Sequence, residues 1–388
     1  MNLQKKWDKV AFENFVFNIS ERVEPNDTSL DKYIGLEHID SGKIKIERIG
    51  NPSAVIGTKL KIYQGDIIFG KRRAYQRKAA LVEFDAICSA HSMVLRVNEK
   101  NVLKEYLLVF IHSDLFMNRA IEISEGSLSP TIKWKTLAKQ QFPLPPLEEQ
   151  KQIADLFQSI ETAIEQVEGQ EKNLKLLRQK LIDSLCEKGE SISKAFKMSE
   201  WQKCKIEDIA YWYQRDISND KQAENGIEVY ICADHIESSE ILISRNGKLD
   251  DGKKGPTITK HFREGDFLFS TRSVSLHKAA VAQVSGVTGE KLIVIDVLAS
   301  SKIIKGFLPY IMHSSKFWSF AKVTASGSVN KFSSWNKIKQ YEFFLPPHNE
   351  QQKFTELFQQ LEDLLKQLKQ QETTLKNLKQ KLLNEILR

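Results

Sequence analysis

The sequence predicts an α+β molecule: two similar α/β domains separated by two long antiparallel coiled-coil helices, a pseudo-two-fold internal duplication. Three observations carry this. Residues 142–181 (FPLPPLEEQKQIADLFQSIETAIEQVEGQEKNLKLLRQKL) and 343–382 (FFLPPHNEQQKFTELFQQLEDLLKQLKQQETTLKNLKQKL) align without a gap, Pro145 and Pro146 falling on Pro346 and Pro347 at an offset of 201. That period is too long for a solenoid repeat and suits whole domains. Each block carries a heptad seam, and the stretch before each block repeats the same landmarks in the same order.

The Pro-Pro pairs disfavour helix before them and permit it just after, so a helix is expected from Leu147 and another from His348. Ile153, Ile160, Val167, Leu174 and Leu181 recur every seventh residue in the first; Phe354, Leu361, Leu368, Leu375 and Leu382 do so in the second. Leu156, Phe157, Ile164 and Leu177, then Leu357, Phe358, Leu365 and Leu378, accompany them as a coiled-coil seam requires. About 40 residues at 1.5 Å each span about 60 Å, and a seam that long needs a partner. The other copy has the matching period. The first helix must also return the chain to a second domain, so the expected pairing is antiparallel and intramolecular, favoured by tethering. Packing of each helix on its own domain, or a homodimer seam, is the alternative. The expected segments are a first domain at 1–146, a first helix at 147–188, a second domain at 189–347 and a second helix at 348–388.

With 388 residues and 41% hydrophobic content, each domain keeps roughly 150 residues, enough for its own core. The start MNLQKKWDKVAFENF lacks the apolar core of a signal peptide and no run of eighteen apolar residues occurs, so a cytoplasmic protein is expected. Cys88, Cys186, Cys204 and Cys232 form no close pair, which suggests neither a zinc site nor a disulfide frame; buried free thiols are the expectation. The net charge of +7 is unevenly held: 147–188 has nine acids and six bases and 348–388 six acids and seven bases, a helical net of −2 that leaves +9 on the domains. A basic excess on folded modules suits a polyanion, DNA or RNA first.

Within the domains, WDKVAFENF from Trp7 pairs with WQKCKIEDI from Trp201, and YIGLEHID from Tyr33 with YICADHIE from Tyr230. Strands are expected at Asp66–Phe69, Ala80–Phe84, Ser92–Val97, Asp266–Phe269 and Leu292–Ile295, and helices over Lys104–Arg119 and Phe307–Val323, in a curved or barrel-like arrangement. GDIIFG leads into Lys71, Arg72, Arg73, Ala74, Tyr75, Gln76, Arg77 and Lys78, five bases without an acid. Arg forks and a Gln amide match guanine and adenine edges, Lys and the remaining Arg suit phosphates, and Tyr75 could stack. The equivalent loop holds Thr271, Arg272, Ser273, His277 and Lys278. One frame with different contact residues implies two different half-sites, against the plainer reading of solvated basic loops. GSLSPTIKW and GSVNKFSSW form a second candidate contact element, with Ser127, Ser129 and Lys133, then Ser328, Asn330 and Lys331, placed for phosphate or base edges. A tight turn would read equally well. Trp134 and Trp335 are expected as core anchors, His38 and His235 as satisfied buried histidines.

Together these motifs resemble the DNA specificity subunit of type I restriction-modification systems: a Trp-initiated recognition domain, a GDIIFGKRR-type motif, a GS…W segment and LPPLEEQKQIADLF with its long helix, all twice. LPPLEEQKQIADLF is the most specific piece. The second copy departs from it as HNEQQKFTELF but keeps Pro346, Pro347, Glu350, Gln351 and Leu357, so the helix is expected there with different partner contacts. The resemblance implies a non-catalytic subunit whose two target recognition domains each read one half of a bipartite double-stranded DNA sequence. The helices set the spacer, a 60 Å rod matching on the order of 18 base-pair steps. It also implies partners: two methyltransferase (modification) subunits docked around the helices, and restriction/translocase subunits. No cofactor is expected in this chain. LPPL and LPPH are not the Asp/Asn-Pro-Pro-aromatic segment of amino-methyl transfer, no phosphate-cradling loop occurs, and DGKKGP has the wrong spacing for one. A specificity-like subunit of another methylation-based defence or anti-restriction system, or a coiled-coil scaffold without a DNA role, are the alternatives.

Overall fold

The structure is a computed structural model and describes residues 7–186, 200–299, 302–327 and 331–387. It divides into two compact units, residues 1–168 with 370–388, and residues 169–369. Each unit therefore draws on both long helices.

In unit 1 the strand Ile67–Gly70 is buried along its whole length because its alternate side chains serve two cores. Ile67 and Phe69 face a helical layer with Met93 and Leu95. Ile68 faces the other way, with Ala80 and Val94, against Ile34, Leu60, Ile62, Ala86 and Cys88. The period of two thus serves two layers at once. The central sheet runs in the order Val16–Ile19, Ser92–Val97, Ile67–Gly70, Ala79–Leu81, all antiparallel. The second sheet runs Arg22–Val23, Lys59–Ile62, Ala86–Cys88, Tyr33–Ile34, the last pair parallel. Two open sheets packed face to face replace the single barrel-like sheet that short apolar runs suggested. The strand expected to reach Phe84 ends at Leu81.

Unit 2 repeats the central sheet as Ala210–Trp212, Leu292–Val297, Phe267–Ser270 and Ala279–Val281. Its second sheet holds Gly247–Lys248, Val229–Ile231, Gly286–Thr288 and Lys260–Phe262.

The helical stretch expected over Lys104–Arg119 is two helices, Lys104–Ile111 and Asp114–Glu122, and that over Phe307–Val323 becomes Leu308–Met312 and Ser315–Thr324. The break has a local cause. Ser113 and Ser314 cap the second helices by accepting from the backbone N–H of Phe116 and Phe317. Just before them, the buried rings of His112 and His313 donate from Nε2 to the carbonyls of Ala79 and Ala279, at 3.0 and 2.7 Å. Burial pushes both imidazoles down to about 3, so they are neutral donors.

The long helices run Leu147–Cys186 and His348–Ile386. The Glu-Gln of each Pro-Pro block is the clamp that joins helix to domain. Gln150 donates to the carbonyls of Asn101 and Pro145 and accepts from the Leu103 N–H, and Gln351 does the same with Lys302, Pro346 and Ile304. The indoles of Trp7 and Trp201 donate to Glu149 and Glu350. Trp134 and Trp335 are partly buried against their cores, as anchors.

The helices pair antiparallel within each unit. In unit 1, Ile153, Phe157, Ile160 and Ile164 share a core with Leu375, Leu382, Leu383, Ile386 and Leu387. In unit 2, Leu174, Leu181, Ile182 and Leu185 share one with Phe354, Phe358 and Leu361. Val167 is buried and Leu368 half-buried, as seam residues should be. One part of the seam expectation is corrected: Leu156, Leu177, Leu357 and Leu378 are between 38% and 46% exposed, on the flank rather than in the contact. A straight helix of 3.6 residues per turn carries such heptad neighbours off the seam. Charge fixes the register. Arg178 lies between the carboxylate of Glu362, at 2.8 and 3.0 Å, and the Ser239 carbonyl, at 2.8 Å. Its counterpart Lys379 pairs with Glu161 and reaches the Gly42 carbonyl. The same antiparallel register therefore recurs in the two units.

Candidate nucleic-acid interface

The basic loop of unit 1 joins Ile67–Gly70 to Ala79–Leu81, neighbours in one antiparallel hairpin. Its shape comes from two non-glycine residues in the left-handed region, Arg73 at φ 57° and Arg77 at φ 52°, bracketing a 3₁₀ turn at Ala74–Gln76. Unit 2 repeats this with Ser273 at 52° and His277 at 48° around Val274–Leu276. Left-handed non-glycine backbone costs free energy and persists only where surroundings over-determine it. The determinant is a plug: Ala74 and Val274 are buried in their cores. Tyr75, in turn, is pushed outward and is 52% exposed.

The GS…W segment, some fifty residues further on, is laid against this loop. In unit 1, Arg72 and Thr131 form a bridge, the Ile132 N–H donates to the Lys71 carbonyl at 2.9 Å, and the Arg73 N–H donates to the Pro130 carbonyl at 2.7 Å. The Arg73 guanidinium also donates to Ser129 Oγ. In unit 2, Arg272 bridges Phe332 and the Ser333 N–H donates to the Thr271 carbonyl at 2.8 Å. The two elements picked from sequence are thus one continuous surface in each unit.

Not every picked residue is free to use it. Lys78 and Lys278 donate to the carbonyls of Leu36 and Ala233, tying the loop to the YI…HI turn. Arg77 donates to Asp114 and the His112 carbonyl. His277 stacks on Trp318, ring centroids 4.7 Å apart. Thr271 Oγ1 donates to the Lys291 carbonyl. These side chains hold the surface in shape, a role that spacing alone does not distinguish from ligand contact. Lys133 is exposed and paired with Glu125 at 2.6 Å, and Ser127, Arg272, Ser273 and Lys331 are exposed. Ser328 and Asn330 lie outside the described residues. His38 and His235 are half-buried and accept at Nδ1 from the N–H of Gly35 and Cys232. Cys88 is buried while Cys204 and Cys232 are half-buried, all three free; the Cys186 side chain lies outside the described set.

The structure adds His91 to the unit 1 surface. Arg72 donates to its Nε2 at 3.1 Å, and its pKa is lowered by partial burial and then by the positive charges of Arg72, Lys71 and Lys59. Lys71 is itself pushed down by burial. Lys59 comes from a strand of the second sheet and His91 from a turn, so no stretch of sequence links them. Among the described residues no helix is long and apolar enough to cross a membrane.

Fold and surface define a duplicated protein in which one loop frame recurs in two units with different side chains. The family model of the type I restriction modification DNA specificity domain matches it at residues 15–176 and again at 198–377, and the chain belongs to this family. It is 25% identical over 174 residues to the type I restriction enzyme EcoDI specificity subunit of Escherichia coli, a match covering 44% of this chain and 38% of that protein's length. It is 22% identical over 316 residues to the MjaVIII specificity subunit of Methanocaldococcus jannaschii, covering 76% of this chain and 72% of the relative. The fold is shared with a solved type I restriction-modification system S subunit from M. genitalium, at a TM-score of 0.60 and 13% identity, covering 100% of this chain and 98% of that one.

Proposed function

We propose that this chain is the non-catalytic DNA-reading subunit of a type I restriction-modification complex. Residues 1–146 read one half of a bipartite double-stranded site and residues 189–347 the other. The long helices hold the unspecified spacer between the halves and dock methyltransferase subunits, with restriction/translocase subunits completing the complex. One observation carries this reading. The left-handed, 3₁₀, left-handed loop is built the same way in both units, yet Arg73, Tyr75 and Gln76 in one are Ser273, Ser275 and Leu276 in the other. A frame conserved between copies with its outward side chains changed is what two readers of different sequences need.

The test is an exchange. With residues 1–146 replaced by the equivalent domain of another family member, methylation-aware sequencing of cells carrying the methyltransferase subunits should show one half of the modified sequence changed and the other kept. Methylation at an unaltered sequence would refute the assignment.

A further inference from the structure

We propose that Leu128 is a base-contacting residue, an aliphatic probe that packs on the C5-methyl group of a thymine in the half-site read by residues 1–146. The inference rests on the DNA-reading function above and adds a residue and a base feature to it.

Leu128 is 90% exposed at the tip of Gly126–Pro130, a five-residue loop. A single exposed leucine is ordinary. This one is held in place. Glu125 and Thr131 exchange both backbone hydrogen bonds at the loop's base, at 3.0 and 2.9 Å. Gly126 supplies the turn at φ +108°, a conformation that side-chain-bearing residues rarely adopt. Arg73 grips the far side twice, through its N–H to the Pro130 carbonyl and its guanidinium to Ser129 Oγ. The loop that displays Ser127, Leu128 and Ser129 is thus tied at its base and along its far side.

Cationic residues flank it. The Arg73 guanidinium donates to Ser129 Oγ within the loop, Arg72 and Lys71 are joined through their backbones to Thr131 and Ile132, and Lys133 follows, paired with Glu125. An occupant must then be anionic and also offer an apolar group within reach of a short side chain. Duplex DNA meets both conditions, because phosphates flank the major groove and the thymine methyl is the apolar feature that a base pair presents there.

The experiment selects from a pool of randomised duplexes with the full-length chain and with its Leu128→Ala variant. Wild type should enrich a half-site containing a thymine that the variant no longer requires, with the other half-site unchanged. Replacing that thymine by deoxyuracil should weaken wild type about fourfold, the worth of one buried methyl, and leave L128A unaffected. Thermal unfolding and the salt dependence of binding should match between the two proteins, because the fold and the phosphate contacts do not use Leu128. Equal enrichment of the same bases by both proteins overturns the proposal, as does an equal loss with deoxyuracil. So does unchanged base preference combined with weaker capture of the methyltransferase subunit, which would make Leu128 a protein contact. Selection of no sequence by wild type would instead bring down the DNA-reading function itself.

Discussion

Gln150 shows how much one side chain can carry. It is fully buried, and its amide satisfies the Asn101 and Pro145 carbonyls and the Leu103 N–H at once. Gln150→Ala should therefore cost about 3 kcal/mol, since it strands several buried polar groups, and Gln351→Ala should do the same in unit 2. Chemical denaturation of the full chain measures this, and a loss well under 1 kcal/mol in both variants would contradict the clamp. The buried imidazoles make a second prediction. His112 and His313 are depressed from 6.5 to about 3 in the folded state. Below pH 6.5 the unfolded chain takes up a proton that the folded one refuses until about pH 3. Each histidine therefore lowers stability as pH falls through that window, by about 1.4 kcal/mol per pH unit, and leaves it flat above. At pH 5 His112→Gln should recover about 2 kcal/mol relative to wild type, judged against the same comparison at pH 7.5. The Glu-Gln motif was visible in the sequence as a pattern, but its role was not. Asn101 and Leu103, two of the residues that Gln150 satisfies, lie nearly fifty residues away, and a hydrogen-bond partner at that separation leaves no periodic trace.

At the scale of elements, the helix seam separates pattern from outcome. Apolar periodicity placed both helices and most of their buried residues, because burial of a stripe is a local property of helix geometry. Their register depends on Arg178 meeting Glu362 in unit 2 and Lys379 meeting Glu161 in unit 1. Burial raises the pKa of Glu362 while Arg178 opposes the rise. Arg178→Met should leave that carboxylate stranded and cost about 3 to 5 kcal/mol, whereas the double variant Arg178→Met, Glu362→Leu should return to near wild-type stability. A double-mutant cycle decides it. If the double variant stayed as unstable as the single one, the ion pair would be a net source of stability and not chiefly a guard on register. The break at His112–Ser113 was missed because apolar helical spacing runs on across it; the Ser113 cap that starts the second helix is local, while the buried bond of His112 to Ala79 crosses 33 residues.

For the whole molecule, the consequence is that neither copy of the repeat completes its own core. Leu382, Leu383, Ile386 and Leu387 belong to the second copy by sequence and to the core of unit 1 by packing. A chain ending at residue 369 loses them together with Leu375. Burial of each such side chain contributes roughly 1.5–3 kcal/mol, so together they are comparable with the margin by which a typical domain is folded. Hydrogen exchange on that truncated chain should show protection lost across Tyr106–Met117 and Ile153–Ile164 and retained across Phe267–Ile295. Unchanged protection in unit 1 would mean that its core closes without the second helix.

By itself the sequence determined the duplication, the two long helices, the strand-and-loop order of each domain and the pair of loops that face outward. Those features are written in periodicity, turn chemistry and short-range spacing, which act between residues a few positions apart. Tertiary structure decided which helix end closes which core, and which lysines and arginines of the basic loops stay free. It also decided that His91 stands beside Arg72, and that Leu128 is held out on a pinned tip. Each of these is a meeting of residues far apart along the chain, brought about by two sheets stacking and two helices folding back, and packing at that range is a property of the assembled core.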